Sequence, residues 1–162
     1  MKTNVKVVSL PVLQKKLKTL RRQGKKIAFT NGCFDLFHYG HVSYLESAKK
    51  SNRILVVGIN SDASVRRIKG AKRPIITEKY RAALLAALEC VDFVVVFPQD
   101  TPAKAIESIK PDVLIKGADW QGQPTVGSDF VRSHGGKVEY LKFIPGVSTT
   151  NLIETIVKRW AK

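Results

Sequence analysis

The chain has 162 residues, of which 28 are Lys or Arg and 13 are Asp or Glu, so its formal net charge is +15. This length is typical of one domain, and a hydrophobic content of 44% is enough for a folded core, which excludes general disorder. Cys33 and Cys90 form no Cys-x-x-Cys pair, and no apolar run approaches the roughly 18 residues of a membrane span, which argues against a disulfide scaffold, a zinc ribbon and a membrane protein.

Residues 1–26 form a basic leader that carries nine Lys or Arg and no acidic residue. The leader lacks the apolar core of a secretory signal, so we expect a cytoplasmic protein. A helix that Ser9 can cap and Gly24 can end would place four leucines on one face: Leu10, Leu13, Leu17 and Leu20. This pattern predicts an amphipathic helix packed on the domain with a solvated basic face; the alternative is docking to a membrane surface or to nucleic acid.

Apolar runs of strand length, rich in Val, Ile or Phe, alternate with helical patterns along the rest of the chain. The predicted strands are residues 27–30, 53–59, 93–97, 113–115 and 138–143. The predicted helices are residues 42–51, 77–89, 102–109, 128–134 and 149–160. The alternation predicts an α/β fold, a Rossmann-like doubly wound sheet of five parallel strands, with ligands at the carboxyl ends of the strands. The last helix carries an apolar stripe that ends at Trp160, which predicts a core-facing side.

The first predicted strand leads directly into a dense polar segment, residues 30–41. Free N–H groups and the helix dipole at such a helix start favour a bound anion. His38 and His41 project from the same side if this turn is helical, and Gly32 and Gly40 allow the backbone to approach a ligand closely. The chain has neither a Gly-x-Gly-x-x-Gly fingerprint nor a P-loop lysine, so imidazoles and later basic residues would have to neutralise a phosphate here.

From spacing alone, three interpretations of the two histidines remain open. They can be structural residues, ligands of a metal, or donors to a phosphoryl group. A zinc site needs at least a third ligand, and only Cys33 and Asp35 lie nearby in the sequence. We therefore predict no metal-ligating residues.

The polar segment resembles the Gly-x-Phe-Asp-x-x-His-x-Gly-His motif of cytidylyltransferase-like nucleotidylyltransferases, and residues 27–162 are identified as such a domain. The resemblance continues through residues 58–62, 69–74, 80–81, 91–92, 116–119 and 148–150. Within this superfamily the chain looks most like enzymes that adenylylate D-glycero-β-D-manno-heptose 1-phosphate. The features are Asn-Gly-Cys-Phe-Asp at 31–35, Lys-Gly with Arg-Pro at 69–74, Asp-Thr-Pro at 100–102 and Pro-Asp-Val-Leu-Ile-Lys-Gly at 111–117.

The resemblance implies transfer of AMP from ATP, with Mg²⁺, to the sugar 1-phosphate, giving pyrophosphate and an ADP-heptose for lipopolysaccharide core or surface glycan. His38 and His41 would donate to the nucleotide phosphates and stabilise developing charge. Lys69, on a basic loop after the second strand, would bridge the two substrates, and Arg73 and Arg81 would grip the β- and γ-phosphates. The other implied nucleotide-binding residues are Asn31, Gly32, Cys33, Phe34, Asp35, Lys116, Gly117, Asp119, Ser148, Thr149 and Thr150.

Several of these residues also have a structural interpretation. Ser148 can cap the last helix, Asp119 can serve as a turn residue, and Cys33 can be a small apolar filler. Asp35 can orient the imidazoles, contact the incoming substrate or help to hold Mg²⁺ through water.

Departures from related enzymes bear on specificity. Glycerol-phosphate cytidylyltransferases place an Arg where this chain has Phe143, which argues against CTP, and Ala118 and Trp120 replace a Gly and a Tyr that are usual in the heptose enzymes. The alternative function is nevertheless a CTP-dependent cytidylyltransferase for glycerol 3-phosphate or another alcohol phosphate. A third hypothesis is a nucleic-acid or membrane-surface module, which would not need His38, His41 or Ser148 and lacks evident base-reading motifs. By analogy with relatives we also expect a homodimer.

Overall fold

Strands and helices alternate along the chain in the computed structural model, which describes residues 3–142, 144 and 146–161. The strands are β1 (Lys26–Gly32), β2 (Arg53–Asn60), β3 (Phe93–Phe97), β4 (Val113–Gly117) and β5 (Lys137–Leu141). The helices are α1 (Thr3–Lys6), α2 (Leu10–Arg22), α3 (Tyr39–Ala48), α4 (Asp62–Lys69), α5 (Glu78–Ala87), α6 (Ala103–Ile109), α7 (Ser128–Ser133) and α8 (Thr149–Trp160). A 3₁₀ turn, Ala118–Trp120, follows β4. Within these ranges no helix has the length and apolar character needed to cross a bilayer.

The strands form a parallel sheet in the order β3-β2-β1-β4-β5. Ala28 of β1 lies opposite Val113 of β4, and Phe29 lies opposite Leu114. The direction of winding reverses between these two strands, so their carboxyl ends flank the crevice in which doubly wound sheets bind ligands. The predicted α/β fold with a parallel sheet is confirmed.

The core consists of two apolar layers, one on each face of the sheet. Side chains along a strand alternate between the faces, so Leu55 and Val57 of β2 enter one layer and Val56 enters the other. Helices α3 and α5 cover the first layer, and α2, α6 and α7 cover the second. The sheet is therefore buried on both sides, which leaves its edges for polar chemistry.

Helix α2 packs the basic leader onto the second layer. Leu13 and Leu17 are completely buried. The Arg21 guanidinium donates to the carbonyl oxygens of Ile109 and Lys110 at 2.6 and 2.7 Å, which satisfies the end of α6. The leucine stripe thus faces the core, as the sequence predicts, and the opposite face of the helix is exposed.

Helix α4 lies where the sequence predicts a basic loop. The pattern misleads because Val65 and Ile68 are the only large apolar residues of this helix. Its start is well defined, since the Ser61 hydroxyl accepts the N–H of Ser64 at 3.2 Å and caps the first turn. Lys69 is consequently the last residue of a helix and not a loop residue, which corrects the prediction.

The C-terminal region departs from expectation in two ways. Strand β5 ends at Leu141, and Phe143, the residue that argues against CTP, lies outside the described residues. Helix α8 spans the predicted residues, but its apolar stripe is not a core face: Leu152, Ile156 and Trp160 are 36%, 52% and 80% exposed. Periodicity predicts an apolar face correctly but does not say what covers it.

Candidate active site

A cavity of about 440 Å³ opens at the carboxyl ends of the central strands. Its wall contains Asn31, Gly32, Cys33, Phe34, His41, Lys69, Lys116 and Gly117, which are all predicted site residues. A larger open groove of about 710 Å³, lined by residues such as Glu107, Asp129 and Arg132, contains none of them. We place the site in the smaller cavity because it lies at the reversal of the sheet.

The two histidines lie at the start of α3, as the motif predicts. His38 precedes the first residue of the helix, and the N–H of His41 donates to the His38 carbonyl at 2.9 Å. Their rings stack with centroids 3.7 Å apart, and the His41 ring also contacts Phe34 and Phe37. The Nδ1 atoms of both rings are buried and find no partner among the described residues. Buried polar atoms in native proteins are nearly always paired, so orphaned imidazole nitrogens are typical of a site that receives a ligand.

Both histidines are neutral near pH 7. Burial lowers the pKa of His38, and burial together with the adjacent His38 ring lowers the pKa of His41 to about 4. A neutral imidazole still has one N–H donor, and an adjacent anion favours the doubly protonated form with two donors. The pair is therefore matched to a ligand that brings its own negative charge.

Gly40 separates the two histidines for a steric reason. A Cβ at this position would lie 3.1 Å from two atoms of the His38 ring. That distance is tighter than most side chains tolerate, so any larger residue would displace the imidazole. The glycine of the His-x-Gly-His motif thus sets the position of its first histidine.

Asp35 lies beneath the cavity and does not line it. Phe34 and Leu36 on either side adopt left-handed backbone conformations, with φ of 48° and 46°, and this turn directs the carboxylate inwards. The carboxylate accepts the N–H groups of Ile75 and Ile76 at 3.0 and 2.9 Å.

Further contacts complete the surroundings of Asp35. Its carboxylate accepts Arg73 Nε at 2.6 Å, and its backbone carbonyl accepts the Thr149 hydroxyl at 2.7 Å. Burial alone would raise the pKa of Asp35, but the N–H donors of Ile76, Ile75 and Arg73 hold it below its ordinary value. A carboxylate this fully engaged has no free position for a metal, so the predicted contact of Asp35 with Mg²⁺ or substrate does not fit this geometry.

No group of three or more His, Cys, Asp or Glu side chains that could hold a metal occurs among the described residues. Mg²⁺ characteristically enters such sites on substrate phosphates, held by few or no protein carboxylates.

Arg81 is also buried, which corrects its predicted role in gripping phosphates. Its side chain is 0% exposed. Nε donates to the carbonyl of Ile76 at 2.9 Å, Nη1 to that of Cys33 at 2.5 Å and Nη2 to that of Asn60 at 2.8 Å. The guanidinium is thus engaged by the protein's own oxygens.

Two lysines supply positive charge to the cavity. Lys69 is exposed at the end of α4 and lines the wall. Lys116, at the end of β4, donates to Asn31 Oδ1 at 2.6 Å, and burial lowers the pKa of Lys116 to about 8. Neither ammonium forms an ion pair with a carboxylate in the described part of the chain. Uncompensated cations beside orphaned imidazoles favour an anionic ligand.

Residues 148–150 lie next to the histidine turn, but two of their hydroxyls have structural partners. Ser148 Oγ caps α8 by accepting the N–H of Asn151 at 3.1 Å, and Thr149 is bound to Asp35 as described. Thr150 is exposed on the first turn of α8. The capping interpretation of Ser148 therefore holds, while Thr150 keeps its hydroxyl available.

The remaining predicted residues divide between the wall and its surroundings. Burial raises the pKa of the Cys33 thiol, although Lys69, Arg81 and Arg73 act against this, so the thiol fits the filler interpretation. Asp119 lies in the 3₁₀ turn, and its carbonyl accepts the Gln123 amide at 3.0 Å. It does not line the cavity.

Sequence reasoning assigned no role to several residues of the cavity wall, among them Tyr44 and Asn60. The Tyr44 hydroxyl is 2.8 Å from that of Thr30, and burial raises the pKa of Tyr44 to about 12. Asn60 Nδ2 donates to Ser64 Oγ at 3.0 Å. Asn60 belongs to the segment 58–62 that carries the family resemblance, and this was the available signal; Tyr44 follows the pattern of an ordinary core residue of α3.

Comparisons with known proteins identify the family of this chain. The model of the family described as cytidylyltransferase-like matches residues 29–155. The chain is 51% identical to the bifunctional protein HldE of Geobacter metallireducens over 99% of its length, and 52% identical to that of Campylobacter fetus over 93%. It covers 33% and 31% of these two proteins, so it spans about a third of the length of the curated relatives that it matches.

A solved structure is also similar. The lipopolysaccharide core biosynthesis protein from Thermoplasma volcanium superposes with a TM-score of 0.60 at 27% identity. The match covers 74% of this chain and 96% of that protein. The similarity therefore extends over almost all of that protein and about three quarters of this chain.

Proposed function

Because the chain belongs to the cytidylyltransferase-like family, we propose that this nucleotidyltransferase moves AMP from ATP to D-glycero-β-D-manno-heptose 1-phosphate. The observation that carries the proposal is the set of His41, Lys69 and Lys116 in the wall of one cavity, with His38 outside the wall and stacked on His41. These groups suit a polyphosphate. The heptose acceptor rests on the sequence features at 31–35, 69–74, 100–102 and 111–117. Similarity to the HldE proteins and to a lipopolysaccharide core biosynthesis protein supports it.

The proposed reaction is a direct displacement at phosphorus. An oxygen of the sugar 1-phosphate forms a bond to the α-phosphorus of ATP, the bond from that phosphorus to the bridging oxygen breaks, and pyrophosphate leaves with its Mg²⁺. Such transfers need positioning and charge neutralisation more than a covalent nucleophile. His38 and His41 donate to the oxygens on which negative charge develops.

The other polar and charged residues bind and neutralise the substrate phosphates. Lys69 bridges the incoming phosphate and the triphosphate, and Lys116 neutralises a phosphate from the end of β4. Arg73 contributes from the cavity's margin, with its Nε held on Asp35. Thr150 offers a hydroxyl from the start of α8. The sum of positive charge compensates a triphosphate and a sugar phosphate that meet in one cavity.

The nucleoside lies along the segment after β4. Lys116 and Gly117 line the cavity, and Asp119 belongs to the 3₁₀ turn that follows. Trp120 also lines the cavity and is 44% exposed, so its ring offers a surface on which adenine can stack.

The test is pyrophosphate release with Mg²⁺, using ATP, CTP, GTP and UTP against heptose 1-phosphate and glycerol 3-phosphate. We expect release with ATP and the heptose alone, and its loss in His38→Ala. Pyrophosphate release with CTP and glycerol 3-phosphate would replace the proposed specificity. If no pair of substrates gave pyrophosphate, the proposed activity would be wrong. The reaction belongs in the cytoplasm, where ATP is available, and its product would supply lipopolysaccharide core or surface glycan synthesis.

We further propose that two copies associate through α8. Its exposed stripe recurs every four residues at Leu152, Ile156 and Trp160, which suits pairing with the same helix of a second copy. Sedimentation velocity should show a dimer that Ile156→Glu dissociates. Lys158→Glu introduces the same charge on the opposite side of the helix, since residue 158 lies two positions from both Ile156 and Trp160, and should leave the dimer intact. A wild-type monomer at every concentration would overturn this proposal.

A further inference from the structure

Two charged side chains lie beneath the cavity without lining it. The side chains of Asp35 and Arg81 are both 0% exposed. Burial of a charge is costly unless hydrogen bonds compensate it. The compensation here comes from backbone groups of segments that surround the site, and the identity of those segments indicates what the two residues do.

Both residues bind the backbone of Ile76. Asp35 accepts the N–H of Ile76 at 2.9 Å, and Arg81 donates to the Ile76 carbonyl at 2.9 Å. Arg81 also donates to the carbonyl of Cys33, two residues before Asp35. These bonds close a ring. It contains the segment 33–35, the backbone N–H and C=O of Ile76, and the Arg81 guanidinium.

A second set of bonds extends this ring to α4. Arg81 Nη2 donates to Asp62 Oδ1 at 2.8 Å. Asp62 and Glu78 each accept the other's backbone N–H, at 2.7 and 2.6 Å, which joins the starts of α4 and α5. Helix α4 is thus fixed at its first turn, and Lys69 is carried at its last residue.

The network reaches each segment that bears a proposed phosphate contact. It joins the loop of Arg73 through Asp35, the helix of Lys69 through Asp62, and the start of α8 through Thr149. The histidine turn follows Asp35 directly in the chain. A small displacement of Asp35 or Arg81 would therefore also displace several of the segments that bear these contacts.

We propose that Asp35 and Arg81 are positioning residues. They hold Lys69 and Arg73 where these can contact the nucleotide phosphates, and they do not touch substrate themselves. The inference rests on the proposed nucleotidyl transfer. Misplacement of a reacting group by about 1 Å can cost on the order of 100-fold in rate. A guanidinium that bonds four oxygens cannot be replaced by an ammonium without loss of part of the ring.

The first experiment is a double-mutant comparison of kcat for pyrophosphate release. Arg81→Lys should lower kcat by roughly 10- to 100-fold, with the KM for ATP changed by less than about threefold. In a Lys69→Met background the same substitution should cost several-fold less, because part of its effect acts through Lys69. Equal losses in both backgrounds would overturn the inference in favour of an independent contact.

Arg53→Lys is the matched control. Arg53 is another buried arginine, paired with Glu139 at the opposite end of the sheet, so it reports the loss of stability that such a replacement causes by itself. Its kcat should stay within about twofold of wild type. A fall equal to that of Arg81→Lys would show that general destabilisation explains both variants, and the inference would be wrong.

A second readout needs no activity. Lys69 and Lys72 are exposed and open to trypsin, so cleavage after them reports how firmly the segment is held. Arg81→Lys, and Asp35→Asn if the first variant does not fold, should accelerate these cleavages at least about fivefold, while cleavage after Lys15 on α2 is unchanged. Unchanged cleavage at 69–72, or equal acceleration at all sites, would overturn the inference. If the wild-type protein released no pyrophosphate but the variants were cleaved faster only after Lys69 and Lys72, the proposed function alone would be rejected.

Discussion

The two ends of the sheet differ in whether their cationic side chains are paired with carboxylates. At the amino ends of the strands, the Glu139 carboxylate lies within 2.5, 3.1 and 3.4 Å of nitrogens from Arg53, Lys137 and Lys50. Nearby, Asp112 pairs with Lys26 at 3.3 Å. The carboxylates of this end are thus used to neutralise neighbouring cations of the same chain.

At the carboxyl ends the described carboxylates pair with groups other than the two cavity lysines, and Asp100 in the cavity wall pairs with Arg67 at 2.7 Å. Asp35 and Asp62 are engaged by N–H groups and guanidinium groups beneath the cavity, while Lys69 and Lys116 have no ion pair among the described residues. The comparison separates stability from function. Lys26, Lys50, Arg53 and Lys137 at the amino end have carboxylate partners within the fold, whereas Lys69 and Lys116 at the carboxyl end are left for a ligand.

The largest expected effect is the loss of either histidine. His38→Ala or His41→Ala should lower kcat for pyrophosphate release by about 100-fold or more, because a donor to developing charge is removed. Stability should change little, since each ring leaves a buried nitrogen unpaired in the free protein. Thermal melting checks the second point, and a large fall in melting temperature would show that the rings have a structural role.

A smaller loss should follow from Gly40→Ala. The added methyl group would lie 3.1 Å from the His38 ring, so the ring would have to shift by a few tenths of an ångström. Steady-state kinetics should show kcat lowered on the order of 30-fold. Ser47→Ala, in the exposed part of the same helix, adds no atom near His38 and serves as the control. A wild-type kcat in Gly40→Ala would mean that catalysis does not depend on the observed position of the His38 ring.

The features that sequence could predict are those determined by neighbours along the chain. Buried strands appear as apolar runs, and the histidine turn is a continuous motif, so both were located correctly. Lys116 was named from the family resemblance, and it does line the cavity. In contrast, helix α4 depends on a cap and on bonds to α5, and its charged sequence resembles a loop.

The roles of Asp35 and Arg81 could not be predicted, because the sequence shows a charge but not the direction in which it faces. Both residues look like ligand contacts when they are read beside the motif. Their actual partners are backbone groups up to 48 positions away, which come together only after folding. The exposed stripe of α8 illustrates the same limit for apolar residues, since periodicity does not identify the covering surface.

The site should also lose affinity in mild alkali. Burial places the pKa of Lys116 at about 8, so its positive charge is present below that pH and is lost as the pH rises through it. The protonated fraction falls about tenfold between pH 7 and 9, and kcat/KM for ATP should fall by a similar factor. Lys116→Met should start lower and remain flat over this interval. A wild-type profile that stays level would remove Lys116 from phosphate binding.

The smallest effect on catalysis is expected at the amino end, where Glu139→Gln removes the paired carboxylate. Arg53 holds the pKa of Glu139 at about 2 against burial, and Lys137 assists, so the stability it supplies is full above its unfolded value near 4.5 and is lost as the pH falls towards 2. Urea unfolding at pH 7 should show Glu139→Gln destabilised by about 1–3 kcal/mol, and the difference should shrink as the pH falls below about 4. Its kcat should remain within about twofold of wild type, because no group of the cavity contacts it. A loss of activity as large as that of Gly40→Ala would mean that the two ends of the sheet are coupled and that the separation of stability from function fails.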